Sequence, residues 1–523
     1  MKLVSMVVSH THFKFSIMLA ASVAVLSSFL LIGAGTPGLN TELISIGIDG
    51  QAGSGSSYYV GSEITASAVS ADGRYVVFSS LAENLTDDDV GGWHIYLRDR
   101  STDTTILIAD GSNSGGSPVI SADGQFIAFR SLSSQLVAND TNGIVDVFVY
   151  DRASGSIKRI SVASDGSEGT GCSCGWPDTC NGCEYDNVNS HPSISGDGRY
   201  IAFTSFSSNF INGDVPDTPD VFVHDQQTGE TTIISRASDG NLGNGSSAEP
   251  SISADGNSIA FSSAASNLIA EDWNGQQDVF LWRRGMVGLT RVSVATDGSE
   301  GNSTSTDPVI SVDGKRIVFT SGATTLATND TNGFIYDVFL RDLDKGETSI
   351  LSSGLAGGGD WPAISDNGQS VSFNSGTDDI YLFNLVTGQR QLINERMQHS
   401  ALNDNGSALV ISGYDNMLSI DTNNDKDVYL VSLDGQEPPD EEEPPVDKEP
   451  PVDGEPPVGD DGQPVDDQSS PEDDTASTDT DGDTSSSACS YSPNGRFDPV
   501  LPVLLLLAIA YLAWSLRKKE RTE

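Results

Sequence analysis

Four segments of this 523-residue chain place oxygen-bearing side chains at alternate positions of a turn and close the turn with a carboxylate. They are Asp140-Thr141-Asn142-Gly143 with Asp146, Asp272-Trp273-Asn274-Gly275 with Asp278, Asp330-Thr331-Asn332-Gly333 with Asp337, and Asp421-Thr422-Asn423-Asn424-Asp425 with Asp427. A hard cation such as calcium asks for such a ligand set, and Asp421 to Asp427, with three carboxylates and an amide, offers the fullest one. The same residues also make an Asn-Gly turn with a capping aspartate, which needs no metal. A second cluster lies within about 170–187, where Cys172, Cys174, Cys180 and Cys183 accompany Trp176 and Tyr185. Outside the cytoplasm these cysteines would form two disulfides, with three pairings open. The alternative is zinc, for which Cys180-x-x-Cys183 fits and Cys172-x-Cys174 is tight.

The elements that must carry these loops are repeats. Ser70-Ala71-Asp72-Gly73 recurs as Ser121 to Gly124, Ser195 to Gly198, Ser253 to Gly256 and Ser311 to Gly314, with weaker forms ending at Gly368 and Gly406. An alternating apolar stretch such as Ile201-Ala202-Phe203 follows most copies, which is how a half-buried strand reads after a tight turn. A strand repeat of roughly 40–58 residues predicts an all-β propeller with one small sheet per blade. Each repeat holds an inner strand ending in Pro-x-Ile-Ser, a second strand, an Asp-Val-Phe third strand and a fourth like Arg159-Ile160-Ser161-Val162. The last repeat stops at its third strand, while Glu42 to Gly50 matches the fourth-strand pattern. The expected fold is therefore a seven-bladed propeller over 42–435, closed by its N-terminal strand, which removes two exposed sheet edges.

In such a ring the second-to-third loops and the blade connections share one face, and here they carry every elaboration, so that face is the candidate binding surface. The residue before each inner-strand proline, or its equivalent, should line the channel mouth on the same face: Ala66, Ser117, His191, Glu249, Asp307, Trp361 and His399. Two imidazoles and two carboxylates aimed at one axis could hold a metal or act as acid and base. They also suit a hydrated polar channel.

The phrase Pro-x-Ile-Ser-x-Asp-Gly-x-x-Ile-Ala-Phe-x-Ser, complete at Pro192 to Ser205 and Pro250 to Ser263, resembles the WD40-like repeats of TolB-type propellers. The resemblance spans roughly 42–435 and implies the fold; the repeat serves binding proteins, peptidase accessory domains and lyases alike. TolB-type propellers usually have six blades, and this count departs from that.

The ends predict export. Lys2 and Lys14 precede an apolar run from Phe15 to Ile32 and then small residues, the order of a signal peptide over 1–36, with an uncleaved anchor as the alternative. Residues 436–488 are Pro-, Asp- and Glu-rich with little to bury, and read as a disordered acidic stalk. Val500 to Leu516 is apolar and followed by Arg517, Lys518 and Lys519, which predicts a transmembrane helix with its basic end in the cytoplasm. The segment 489–523, with Cys489 and Phe497-Asp498-Pro499 ahead of that helix, resembles a bacterial CTERM-type sorting signal, of the JDVT variety, which implies recognition by export and C-terminal processing machinery. A plain single-span anchor is the alternative. The expected place is the bacterial cell envelope, membrane-anchored or at the cell surface.

A formal net charge of -47 argues against nucleic acid, whose phosphates need Lys and Arg. No α/β domain remains once the propeller is subtracted, which argues against a serine hydrolase. The leading expectation is a non-enzymatic binding or scaffold module for a protein, peptide or glycan. A lyase or hydrolase working at the channel mouth is the alternative.

Overall fold

The computed structural model describes residues 39–433 apart from 55–67, 88–91, 111–115, 171–191, 215–217, 377, 404, 415–416 and 424. The expected signal peptide, Ala66, the four clustered cysteines, His191, the acidic stalk, Cys489 and the C-terminal helix lie outside the described residues. Every element in the described part is a strand, and no helix there is long and apolar enough to cross a membrane.

Seven antiparallel sheets follow one another along the chain, six of four strands and one of three. We number them blades 1 (69–110), 2 (116–159), 3 (193–233), 4 (247–291), 5 (305–350), 6 (360–394) and 7 (397–432 with 40–43). Blade 7 takes its outer strand, Asn40–Leu43, from the other end of the domain, in the register Asn40↔Ser432 to Leu43↔Tyr429. The ring is thus seven-bladed and closed by its N-terminal strand. The sequence pattern through Gly50 suggests a longer strand. The pairing instead ends at Leu43, because Ser45 turns in to donate to Asp427 Oδ1 at 2.6 Å, and Ile46 and Ala52 then bridge in a short hairpin.

Two devices recur from blade to blade, except that blade 7 sets Ile411 against Tyr429 where the others pair two rings. In the Ser-x-Asp-Gly turn of blade 4, Asp255 Oδ1 accepts from Ser253 Oγ at 2.6 Å and from the Asn257 amide at 2.9 Å, while Ser253 Oγ accepts the Ser258 amide at 3.0 Å. The glycine is obligatory on two counts. Gly256 has φ +67°, and a Cβ there would stand 2.2 Å from the Tyr200 ring of the preceding blade. The second device is a buried aromatic pair facing across the middle strands, such as Phe203–Phe222 and Phe319–Phe339, with ring centroids 5.9 Å and 5.8 Å apart. These rings dominate the burial on folding. The Ile of Pro-x-Ile-Ser and its equivalents, among them Val69, Ile120, Ile194, Ile252, Ile310 and Leu402, are all buried and line one common cavity.

Candidate functional site

The expected channel-mouth residues share an uncommon backbone state. Ser117, Glu249, Asp307, Trp361 and His399 have φ of 50°, 58°, 50°, 44° and 52°. Each stands where the inner strand slips register against the second strand, as between Ala248 and Ser251 or Thr306 and Val309. Left-handed non-glycine residues cost about 1–3 kcal/mol each and persist only where their surroundings enforce them. Here a bulge recurs blade after blade on the same face, and bulges re-aim side chains.

Adjacent bulges meet. Glu249 Oε2 accepts from the Asp307 backbone amide at 2.9 Å and from Ser262 Oγ at 2.8 Å, so one carboxylate brackets blades 4 and 5. Trp361 and His399 bring blades 6 and 7 together, their ring centroids 4.6 Å apart. Glu249, Asp307 and His399 do not gather into a metal-binding trio. Among the described residues the one trio of ligand atoms within 4.8 Å of each other is Asp272, Asp278 and Glu300.

That trio already holds a cation of the chain's own. Arg291 Nη1 lies 2.7 Å from Glu300 Oε2, 3.3 Å from Asp278 Oδ2 and 3.5 Å from Asp272 Oδ1. Blade 2 repeats the arrangement, with Arg159 Nη1 at 3.2 Å from Asp140, 3.1 Å from Asp146 and 2.9 Å from Glu168. The amides of Asn142 and Asn274 donate to Asp146 and Asp278 at 3.0 and 3.1 Å, which fixes each loop over its arginine. In these two loops a guanidinium stands where the spacing of the acids suggests calcium. The loops at Asp330, Asn332, Asp337 and at Asp421, Asn423, Asp425, Asp427 have no such arginine, since Ile350 and Leu43 occupy its register positions.

In blade 3 Ile233 stands at the register position of the arginine, opposite Phe222. Asp220 is buried, accepts from Ser235 Oγ and faces Asp214; burial above all, opposed by the Ser235 bond and aided by Asp214, pushes its carboxyl up to about 7. A carboxyl raised from 3.8 to about 7 keeps its proton in the folded state where the unfolded chain has lost it. Stability should therefore fall as pH rises from about 4 to about 7 and level off beyond, a difference of about 4 kcal/mol for the shift. Asp220→Asn should reduce that slope, to which Asp360 also contributes, in denaturation measured across this range. An unchanged slope would place the titration elsewhere.

The loop face also collects aromatic side chains. Among the described residues the exposed aromatics are Trp273, Phe334, Tyr336, Trp361 and Tyr414, with Trp273 80 % and Phe334 68 % exposed. Trp273, Phe334, Tyr336 and Tyr414 belong to second-to-third loops of blades 4, 5 and 7, and Trp361 to the bulge of blade 6, so all five lie on one face. The Phe334–Tyr336 stretch is held against the strand that leads to Trp361. The Tyr336 carbonyl accepts the Gly359 amide at 2.8 Å, and a Cβ on Gly358 would stand 1.9 Å from that oxygen. Nothing in the Pro-x-Ile-Ser repeat marks the bulge conformation. The arginine plugs do carry a signal: Arg-Ile-Ser or Arg-Val-Ser with a glutamate nine residues after the arginine, at Arg159 and Arg291 only.

No family model and no curated protein matches the chain. Solved structures similar to it include an oligogalacturonate lyase in complex with manganese, at 14% identity and a TM-score of 0.47, covering 77% of this chain and 98% of that one. The TolB of Acinetobacter baumannii aligns at 15% identity and a TM-score of 0.35, covering 69% of this chain and 80% of its own. A putative TolB from Agrobacterium tumefaciens aligns at 13% and 0.37, covering 63% and 94%. The propeller assignment rests on the sheet order and strand register given above.

Proposed function

We propose that the chain is a binding module, exported and held at the cell envelope, that engages a protein or peptide segment or a glycan through its loop face. The observation that carries this reading is that the exposed aromatics among the described residues all lie in blades 4 to 7 on that one face. Exposed aromatics grouped on a rigid scaffold are the anchors of recognition surfaces: they bury large area at low entropic cost, and Trp and Tyr stack on sugars, peptides and cations alike. The acids beside them, Glu249 and Asp307, favour ligands with positive or neutral polar groups over anions.

A second reading, a lyase or hydrolase, draws support from Asp360. It adjoins Trp361, and burial first, then Asp378, pushes its carboxyl up to about 6, within the range useful for acid–base work near neutrality.

A glycan and peptide array probed with the full chain tests both. A ligand of the loop face should lose at least ~10-fold in affinity with Trp361→Ala or Trp273→Ala. It should be indifferent to Met286→Ala, in an exposed turn on the opposite face. Equal binding by all three variants would overturn the assignment. Turnover of the bound ligand, abolished by Asp360→Asn, would decide for the enzyme.

A further inference from the structure

The geometry points to a bound divalent cation, calcium by its oxygen ligands, in the Asp421–Asp427 loop of blade 7, at the place that a guanidinium fills in blades 2 and 4. The inference is independent of what the aromatic face binds. Strand register makes the correspondence exact in position: Arg159 lies opposite Phe148, Arg291 opposite Phe280, and Leu43 opposite Tyr429. The glutamate that completes each plug is replaced as well. Val162 bridges Glu168 and Val294 bridges Glu300, whereas Ile46 bridges Ala52. Arginine and glutamate have thus been lost together.

Two backbone anchors of the loop are kept. Asn423 Nδ2 donates to the Gly53 carbonyl at 2.7 Å, as Asn142 does to Gly169 at 3.3 Å and Asn274 to Gly301 at 3.0 Å. The Asp421 amide donates to Leu418, as that of Asp140 does to Val137. The two carboxylates are also kept, 3 % and 2 % exposed.

What they lack is a counter-charge. Asp427 Oδ1 takes the Ser45 hydroxyl and Asp421 Oδ2 the Tyr429 hydroxyl, but Asp427 Oδ2 and Asp421 Oδ1 are buried without a hydrogen bond. Those are the same oxygens that Arg159 and Arg291 approach in Asp146 and Asp140, and in Asp278 and Asp272. Lys426, next to Asp427, turns its Nζ to Gln398 Oε1 at 3.3 Å. Burying two carboxylates side by side is unfavourable unless a cation or a proton joins them. Two carboxylate oxygens, with loop carbonyls and water completing the ~6–8 oxygens calcium takes, supply that cation's shell. Blade 5 repeats the design in part: Ile350 replaces the arginine, and Asp337 Oδ2 is buried without a hydrogen bond.

Terbium, a luminescent substitute for calcium, tests this on the full chain, because the Tyr429 phenol on Asp421 would transfer excitation to an ion bound there. We expect tyrosine-sensitised emission that saturates, is displaced by calcium, and is reduced in Asp427→Asn and in Tyr429→Phe. Millimolar calcium should also raise the melting temperature relative to chelator. Leu43→Arg with Ala52→Glu, which rebuilds the plug, should shrink that rise. An equal melting temperature in chelator and calcium, or emission undiminished in Asp427→Asn, would overturn the site and leave a shared proton as the counter-charge.

Discussion

Deleting Glu42 to Gly50 should lower the melting temperature of the chain by roughly 4–7 °C. The deletion removes Leu43 and Ile44, which are 3 % and 0 % exposed, and together they forfeit roughly 3–6 kcal/mol of apolar burial. It also strips Ser45 from Asp427 and bares the edge of Asp427–Ser432. Arg100 loses its ion pair with Glu42, 2.7 Å long, which ties the closing strand to blade 1. Removal of 436–487, whose composition offers little to bury, should leave the melting temperature where it was. Equal losses from the two truncations would mean that the closing strand contributes no more than the tail.

Arg291→Ala should be the most damaging point substitution on the loop face, at about 3–5 kcal/mol in the presence of chelator. It leaves Asp272, Asp278 and Glu300 facing one another with no positive charge, and breaking one partner of a buried ion pair costs that much. The same vacancy has the ligand set of a cation site, three carboxylates within 4.8 Å. Millimolar calcium should therefore restore part of the lost stability in this variant, by binding only the folded state. Thermal denaturation of the variant and the unsubstituted chain, each in chelator and in calcium, measures both effects. A variant as stable as its parent in chelator would show that the guanidinium is not needed there.

Much of the architecture could be read from the chain because it repeats. The turn glycine has a positive φ in all seven blades, and at Gly198 and Gly256 a ring of the preceding blade excludes a side chain as well, so Asp-Gly is visible without coordinates. The Asp-Val-Phe strand recurs for a like reason, since its aspartate takes a fourth-strand serine and its phenylalanine faces another ring. The site was less legible. Calcium and arginine impose nearly the same demands on a loop, so Asp272 and Asp421 look alike in sequence, and the difference lies in residues paired from another strand, Arg291 against Leu43. The bulge at Glu249 and Trp361 leaves no mark beyond the proline that follows, which disfavours the right-handed helical region for them without selecting the left-handed one. Exposure of Phe334 and Tyr336 is set by how their loop lies on Gly358, which no periodicity reports.

The clasp between Ser45 and Asp427 joins residues 382 positions apart, and this dictates an order of events. The first strand to be synthesised is the last to find its partner, so blades 1 to 6 can form while the ring is still an open arc with two raw edges. Contacts of such separation are slow to form, since the loop entropy is lost before the pairing is gained. The rate at which the ring shuts should then depend on the delay between its two ends, and a permuted chain that begins at blade 1, with Asn40–Leu43 joined on after Ser432, would fold its seventh blade as quickly as its fourth.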